Sequence, residues 1–307
     1  MSGGGNESGR APAAAFSLEF FPPRTPEGVA RLAAARQALK SLAPEFCSVT
    51  FGAGGSTREG TLETVLAFRG DGFVAAPHLS CIGGTREAIR AVLDQYRAHD
   101  IHHLVALRGD APSGSVEAGA FRYASELVEF IRAETGDWFR IDVAAYPETH
   151  PQAKSPHDDL ANFRRKVDAG ANNAITQYFF NDEAYWRFVD EARAAGIGVP
   201  IIPGIMPIAS AAGLARFSDN CGADIPRWIR RRLESYGDDA KSIRAFGLDV
   251  VTALCERLIA RGAPGLHFYT LNQAALTVEI VQRLGLARTP ATPSTSPRAL
   301  SACASRT

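Results

Sequence analysis

The chain has 307 residues, 46% of them hydrophobic and 21% charged, with 33 basic and 33 acidic side chains that cancel. That balance argues against a nucleic-acid or anionic-membrane partner engaged through bulk charge. No apolar run reaches the ~18 residues that suggest a membrane-spanning helix.

Residues 1–14 and the Pro-, Ser- and Thr-rich stretch 287–307 read as disordered segments. Met1–Pro12 lacks an apolar stretch and is not read as a secretory signal. Between the two ends no low-complexity linker occurs, so residues 15–286 are expected to form one domain. Its first strand is Phe16–Phe21, which runs FSLEFF and is stopped by Pro22-Pro23. Glu19 stands there among Phe16, Leu18, Phe20 and Phe21. Burial disfavours the charged form of a carboxyl, so its pKa is expected to rise. Such a group is either a proton donor kept neutral or a structural carboxylate tied to an arginine.

Seven more apolar runs of strand length follow, at 46–51, 73–79, 102–107, 140–146, 174–180, 199–205 and 265–270. Their hydrophobicity is continuous rather than alternating, as in parallel strands covered on both faces. Helical periodicity fills the gaps at 26–43, 58–69, 85–98, 123–134, 157–169, 182–195, 209–219 and 272–285. An insertion at 226–262 holds two further helices. In the first helix Val29, Leu32, Ala33, Leu39 and Leu42 are expected on one side. Gly70, Gly170, Gly196 and Gly262 follow periodic runs as C-cap glycines. Eight strand–helix units predict a (β/α)₈ TIM barrel. The competing open doubly wound sheet would place a Gly-rich turn where Pro22-Pro23 stands.

In such a barrel, chemistry collects at the C-terminal strand ends. Those ends carry Glu19, Thr50, His78, Arg108-Gly109-Asp110, Tyr146, Glu148, His150, Gln177, Tyr269 and Asn272. The loop Thr50–Ser56 is either a cradle of backbone N–H groups or an ordinary tight turn. His78 is either a hydrogen-bonded core histidine or a ligand. Gly109 between Arg108 and Asp110 lets the backbone approach a ligand closely, unless the two charges form a structural pair. Ser155-Pro156 starts a helix that sets Asp159, Asn162 and Lys166 on one face with Arg165 beside it. Those groups suit a pyrophosphate or ribose, or else form a solvated charged face. Arg227, Arg230, Arg231 and Arg232 read as a solvated face or a subunit contact. A metal-dependent hydrolase or aldolase is the alternative function, using Glu19, His78, Asp110, Glu148 and His150. Against it, the rim has no H-x-H pair, and His102-His103 sits at a strand start. The five cysteines, Cys47, Cys81, Cys221, Cys255 and Cys303, form no C-x-x-C and fit a reducing cytoplasm.

The stretches FSLEFFPP, FCSVTFGAGG, AAPHLSCI, HLVALRGD, AAYPETHP, KSPHDDLANFRRKVDAGANNAITQYFF, IIPGIMP and HFYTLN together resemble the methylenetetrahydrofolate reductase family, across residues 16–286. The resemblance implies noncovalent FAD at the barrel rim, NADH or NADPH as cosubstrate and a cytoplasmic homo-oligomer. It implies that FAD is lined by Phe51, Ala53, His78, Arg108, Gly109, Asp110, Tyr123, Ala124, Ser125, Tyr146, His150, Ala153, Asp159, Asn162, Arg165 and Lys166. Thr50 and Gln177 would meet the nicotinamide, and Gln177, Asp110, Tyr269 and Gln273 the folate. Glu19 would be the general acid, and Asp110 would tune the flavin. The chain departs from the family pattern at Gly213, where a glutamine is frequent, and at Gln273, where an arginine is common. Both departures weaken the expected contacts to the folate tail.

Overall fold

The computed structural model describes residues 14–51, 58–81, 84–109 and 119–287. Apart from Ala14 and Ala287, the two segments expected to be disordered lie outside these residues, as do Ala53, Asp110 and Cys303. The elements alternate through β1 (Ala15–Phe20), α1 (Pro26–Leu39), β2 (Cys47–Val49), α2 (Arg58–Gly70), β3 (Ala75–Ser80), α3 (Arg86–Ala98), β4 (His103–Leu107) and α4 (Ala124–Thr135). They continue through β5 (Arg140–Ala145), α5 (Pro156–Asp168), β6 (Asn173–Tyr178), α6 (Asp182–Ala194), β7 (Ile201–Ile205) and α7 (Ala211–Cys221). The insertion holds α8 (Arg227–Tyr236) and α9 (Ala240–Ala260), before β8 (Gly265–Tyr269) and α10 (Ala274–Arg283).

Every strand pair is parallel, and β8 returns to β1 from Ala15↔Gly265 to Glu19↔Tyr269. That last ladder closes the sheet and selects the (β/α)₈ barrel over an open sheet. Alternation along each strand splits the apolar residues into two cores. Phe16, Leu18 and Phe20 join the large core that includes Leu32 and Leu39 of α1 and Ile280 of α10. Phe46, Ala76, Val105 and Ile175 form a small separate cluster, capped by Leu107, that fills the barrel itself. Near the strand starts, buried Asp142 accepts from Asn173 Nδ2 at 2.8 Å and lies 2.9 Å from His103 Nε2. His103 therefore belongs to the closed floor of the barrel, opposite the rim.

One ladder is irregular. Ile175 pairs with Ile202, whereas Tyr178 pairs with Gly204, so β6 spends one residue more than β7 over this span. Such a bulge frees a residue from pairing and re-aims its side chain.

Two local expectations change. Val29 is 55% exposed, because the buried stripe of α1 runs through Leu32, Ala35 and Leu39. Gly70 lies within α2, and the left-handed turn after it falls on Gly72 at φ 91°. Gly170, Gly196 and Gly262 do take positive φ just past α5, α6 and α9. Cys47, Cys81, Cys221 and Cys255 are free thiols, and burial pushes Cys81 up to about 11.

Candidate active site

Glu19 points into the barrel from β1. Its backbone is fixed by β8, since Thr270 Oγ1 donates to Glu19 O at 2.6 Å. The carboxylate lies between two imidazoles, 3.4 Å from His78 Nε2 and 3.5 Å from His267 Nε2. His267 is held from behind by Ser17, with Oγ 2.7 Å from Nδ1. Neither Nε2 has a hydrogen bond of ordinary length, and both are buried, as is the unpaired Oγ of Ser48. The side chain of Glu19 keeps 20% of its surface open. Burial works to raise its carboxyl, but His78 and then His267 outweigh that and hold it below the usual carboxylate range. This corrects the expected neutral acid: an apolar neighbourhood was read from β1 alone, and the two bases come from β3 and β8. Burial pushes His78 down, an effect Glu19 partly offsets. Among the described residues no arginine pairs with Glu19, so the alternative of a carboxylate–arginine pair gains no support.

On the β4–β5 side of the rim opens a trough of ≈ 970 Å³, mouth included. It gathers Arg108, Gly109, Tyr123, Ala124, Ser125, Tyr146, His150, Ala153, Asp159, Asn162 and Lys166. The family resemblance implies one ligand for all of these. Gly109 takes φ 80°, which suits a residue without Cβ. Ser155 caps α5 by accepting from Asp158 N at 3.1 Å. That cap sets Asp159, Asn162 and Lys166 along the wall. Asp159 Oδ2 accepts from His150 N at 2.8 Å, and Gln152 N donates to His150 Nδ1 at 3.0 Å. The second bond leaves the proton of a neutral His150 ring on Nε2. Gln152, which the sequence reading passed over, also accepts from Arg108 Nη2. Its only signal was its place in the dense polar stretch after Tyr146. Tyr123 leaves 51% of its surface open beside the trough.

Lys166 is the unusual wall residue. Its ammonium donates to Ala144 O, and among the described residues no carboxylate lies within 4 Å. Burial pulls it down to about 8, although Asp159 works the other way. A half-buried cation with no carboxylate in ion-pair contact among the described residues is what an anionic guest would satisfy.

Other assigned residues lie elsewhere. Thr50 lines a second pocket of ≈ 1490 Å³, mouth included, with Phe21, Arg24, Arg31, Asn272 and Gln273. Tyr269 and Gln273 line a third of ≈ 740 Å³, mouth included. Gln177 sits on the β6 bulge, where its Oε1 accepts from Tyr178 N at 3.0 Å. Arg165 does not line the trough; it donates to Asn162 Oδ1 at 2.6 Å. Phe51 also lies off its walls, and His78 reaches Glu19 instead. Glu148 turns away: its Oε2 accepts from Asp224 N at 2.9 Å, and burial raises its carboxyl. Asn272 clasps Phe21 in both directions, tying the β8 exit to the β1 exit. His267 was missed as a site residue. It lies two before Tyr269 on β8, so strand alternation places both on the inner face.

A closed barrel with its ionisable groups drawn to the C-terminal rim and interior has the architecture of a (β/α)₈ barrel enzyme. The comparisons with known proteins specify which. The family model of methylenetetrahydrofolate reductase matches residues 7–285. The chain is 43% identical over 271 residues to 5,10-methylenetetrahydrofolate reductase of Escherichia coli K12, covering 88% of this chain and 90% of that one. It is 39% identical over 288 residues to methylenetetrahydrofolate reductase (NADH) 1 of Arabidopsis thaliana, covering 89% of this chain and 48% of that one. A Clostridium thermocellum protein that binds two copies of 5-methyl-5,6,7,8-tetrahydrofolic acid shares the fold at TM-score 0.62 and 16% identity, covering 90% of this chain and 94% of that one. The chain belongs to the methylenetetrahydrofolate reductase family.

Proposed function

We propose that the protein reduces 5,10-methylenetetrahydrofolate to 5-methyltetrahydrofolate, with FAD held noncovalently and NADH or NADPH as the electron source. The observation that carries this is the buried Glu19–His78–His267 cluster at the rim, with the cation-bearing trough on the far side of the barrel mouth. The family shown by the comparisons supplies the substrate class.

The trough suits FAD on the strength of Lys166. A pyrophosphate would give that ammonium the anion it lacks, with Arg108 and Asn162 beside it. Tyr123 and Tyr146 offer aromatic surface, and Asp159 holds the His150 loop in place. When bound, FAD supplies the hydride chemistry, taking the equivalent from the nicotinamide and returning it to the methylene carbon of the folate. Asp110, from the same strand exit, is assigned to the pterin through the family resemblance.

The chain itself handles the proton. Opening the five-membered ring of the substrate requires protonation at N10, a role assigned to Glu19 through the family resemblance and supported by its position at the rim. In the free protein the Glu19 carboxyl is held below the usual carboxylate range, with His78 and His267 beside it. A ligand covering the open fifth of Glu19 removes water from the carboxylate. That desolvation favours the protonated form of the carboxyl. The amide of Gln177 both donates and accepts, so it can serve nicotinamide and folate in turn.

Glu19→Gln tests the assignment. The variant should keep FAD and oxidise NAD(P)H with an artificial acceptor at close to the normal rate. Folate reduction should fall by about 10²-fold or more. Equal loss in both half-reactions would remove Glu19 from the proton-donor role. The metal-dependent alternative gains no support from the geometry: among the described residues no three His, Cys, Asp or Glu side chains converge as metal ligands.

A further inference from the structure

The third rim pocket opens at Tyr269, the residue of β8 that pairs with Glu19 of β1. It therefore begins beside the proposed proton donor and runs outward. Its walls are mostly apolar, including Pro207 and Leu271, and Gln273 adds one amide. The single charged wall residue among those described is Arg244, from the inserted helix α9. Helix α9 is held there by a backbone contact. A Cβ on Gly247 would lie 2.4 Å from Ile208 O, so only a glycine allows this approach to the β7 exit. Arg244 is one turn before that contact.

The guanidinium is only partly engaged. Its Nη2 donates to Glu279 Oε2 at 2.8 Å, and both side chains are about 40% exposed at 42% and 39%. Glu279 is shared with Arg283, at 3.5 Å, which in turn bonds Asp249 at 2.8 Å. One exposed contact to a shared carboxylate is weak. It leaves further N–H donors of Arg244 for another acceptor. Neither Gly213 nor Gln273 carries a charge, so neither can supply a cation there.

We propose that Arg244 is a specificity-determining residue that binds the glutamate carboxylate of the folate substrate, with the p-aminobenzoyl group lying in the apolar pocket between Tyr269 and Arg244. This rests on the proposed function. An aromatic amide followed by a carboxylate matches an apolar groove ending in a guanidinium and an amide.

The test uses the FAD-loaded protein and two ligands, 5-methyltetrahydrofolate and its analogue without the glutamate, 5-methyltetrahydropteroate, titrated by calorimetry. Arg244→Gln should weaken the first by about tenfold or more and leave the second within twofold. The KM for methylenetetrahydrofolate should rise in step while kcat and the NAD(P)H–acceptor half-reaction hold. Arg244→Lys should recover part of the loss. Glu279→Gln, which breaks the same ion pair but keeps the cation, should not weaken folate. A loss shared by Glu279→Gln, or equal for both ligands, would overturn the assignment. So would unchanged folate binding in Arg244→Gln. Wild-type protein that neither binds nor reduces folate would instead overturn the proposed function, and this inference with it.

Discussion

Glu19 shows how a single side chain can be read correctly for place and wrongly for state. The run FSLEFF located it on a buried strand, and it does lie at the barrel rim. Its ionisation was set by His78 and His267, which arrive from strands about 60 and 250 residues away in sequence and become neighbours only when the barrel closes. This gives a signed prediction. His267→Gln removes part of what holds the Glu19 carboxyl down, while burial, which pushes it up, remains. The acid should then stay protonated to higher pH. In stopped-flow traces of the folate half-reaction, the descending limb of the pH–rate profile should move upward, whereas the half-reaction with an artificial acceptor should not shift. Gln177 and Tyr269 were legible by their place at strand ends; His267 was hidden because it sits deeper on the same strand.

At the scale of elements, boundaries were legible where the chemistry is local. Ser155-Pro156 announces α5, and glycines past α5, α6 and α9 announce their ends. Contacts between elements were not. Glu148 sat among candidate rim ligands, yet it fastens the β5–α5 loop to the α7–α8 link through Asp224 N. Glu148→Ala removes that hydrogen bond at an exposed N–H and should cost about 0.5–1.5 kcal/mol in urea unfolding. FAD retention should also loosen, because His150 and Ala153 ride on the same loop; Glu148→Gln, which keeps an acceptor, should do neither. Gly204 is a second such contact. A Cβ there would meet Thr176 O at 2.1 Å and Tyr269 Cε2 at 2.7 Å. Gly204→Ala should therefore destabilise by about 1–3 kcal/mol or more, and raise the KM for folate by displacing Tyr269, whose Oη now donates to Thr176 O at 2.7 Å.

The whole molecule was legible as a count: eight apolar runs with helices between them. Closure was not, because it rests on hydrogen bonds between the first strand and the last. The barrel also holds a half-buried charge, Lys166, whose consequences are global. Its ammonium titrates at about 8 in the folded protein against an ordinary 10.5. Between those values the unfolded chain binds a proton that the folded chain does not, so folding stability gains as pH rises through this window. FAD-free wild type should show that gain relative to Lys166→Met, which has no such group. If FAD binds as proposed, its pyrophosphate should restore the charge and the difference should shrink. The variant should bind FAD about tenfold or more weakly, and thermal melts with and without FAD across pH 7.5–11 check both statements.

The extra residue in β6 limits how the gene can drift in length. Loops on the rim can gain or lose positions and leave every strand facing as before. Between Ile175 and Tyr178 a single codon lost would restore regular pairing with β7 and bring Tyr178 toward the station now held by Gln177. In the role proposed for Gln177, a phenol cannot stand in for an amide that donates and accepts through separate atoms. Variation in this lineage is thus expected to be free in sequence around that spot but locked in spacing.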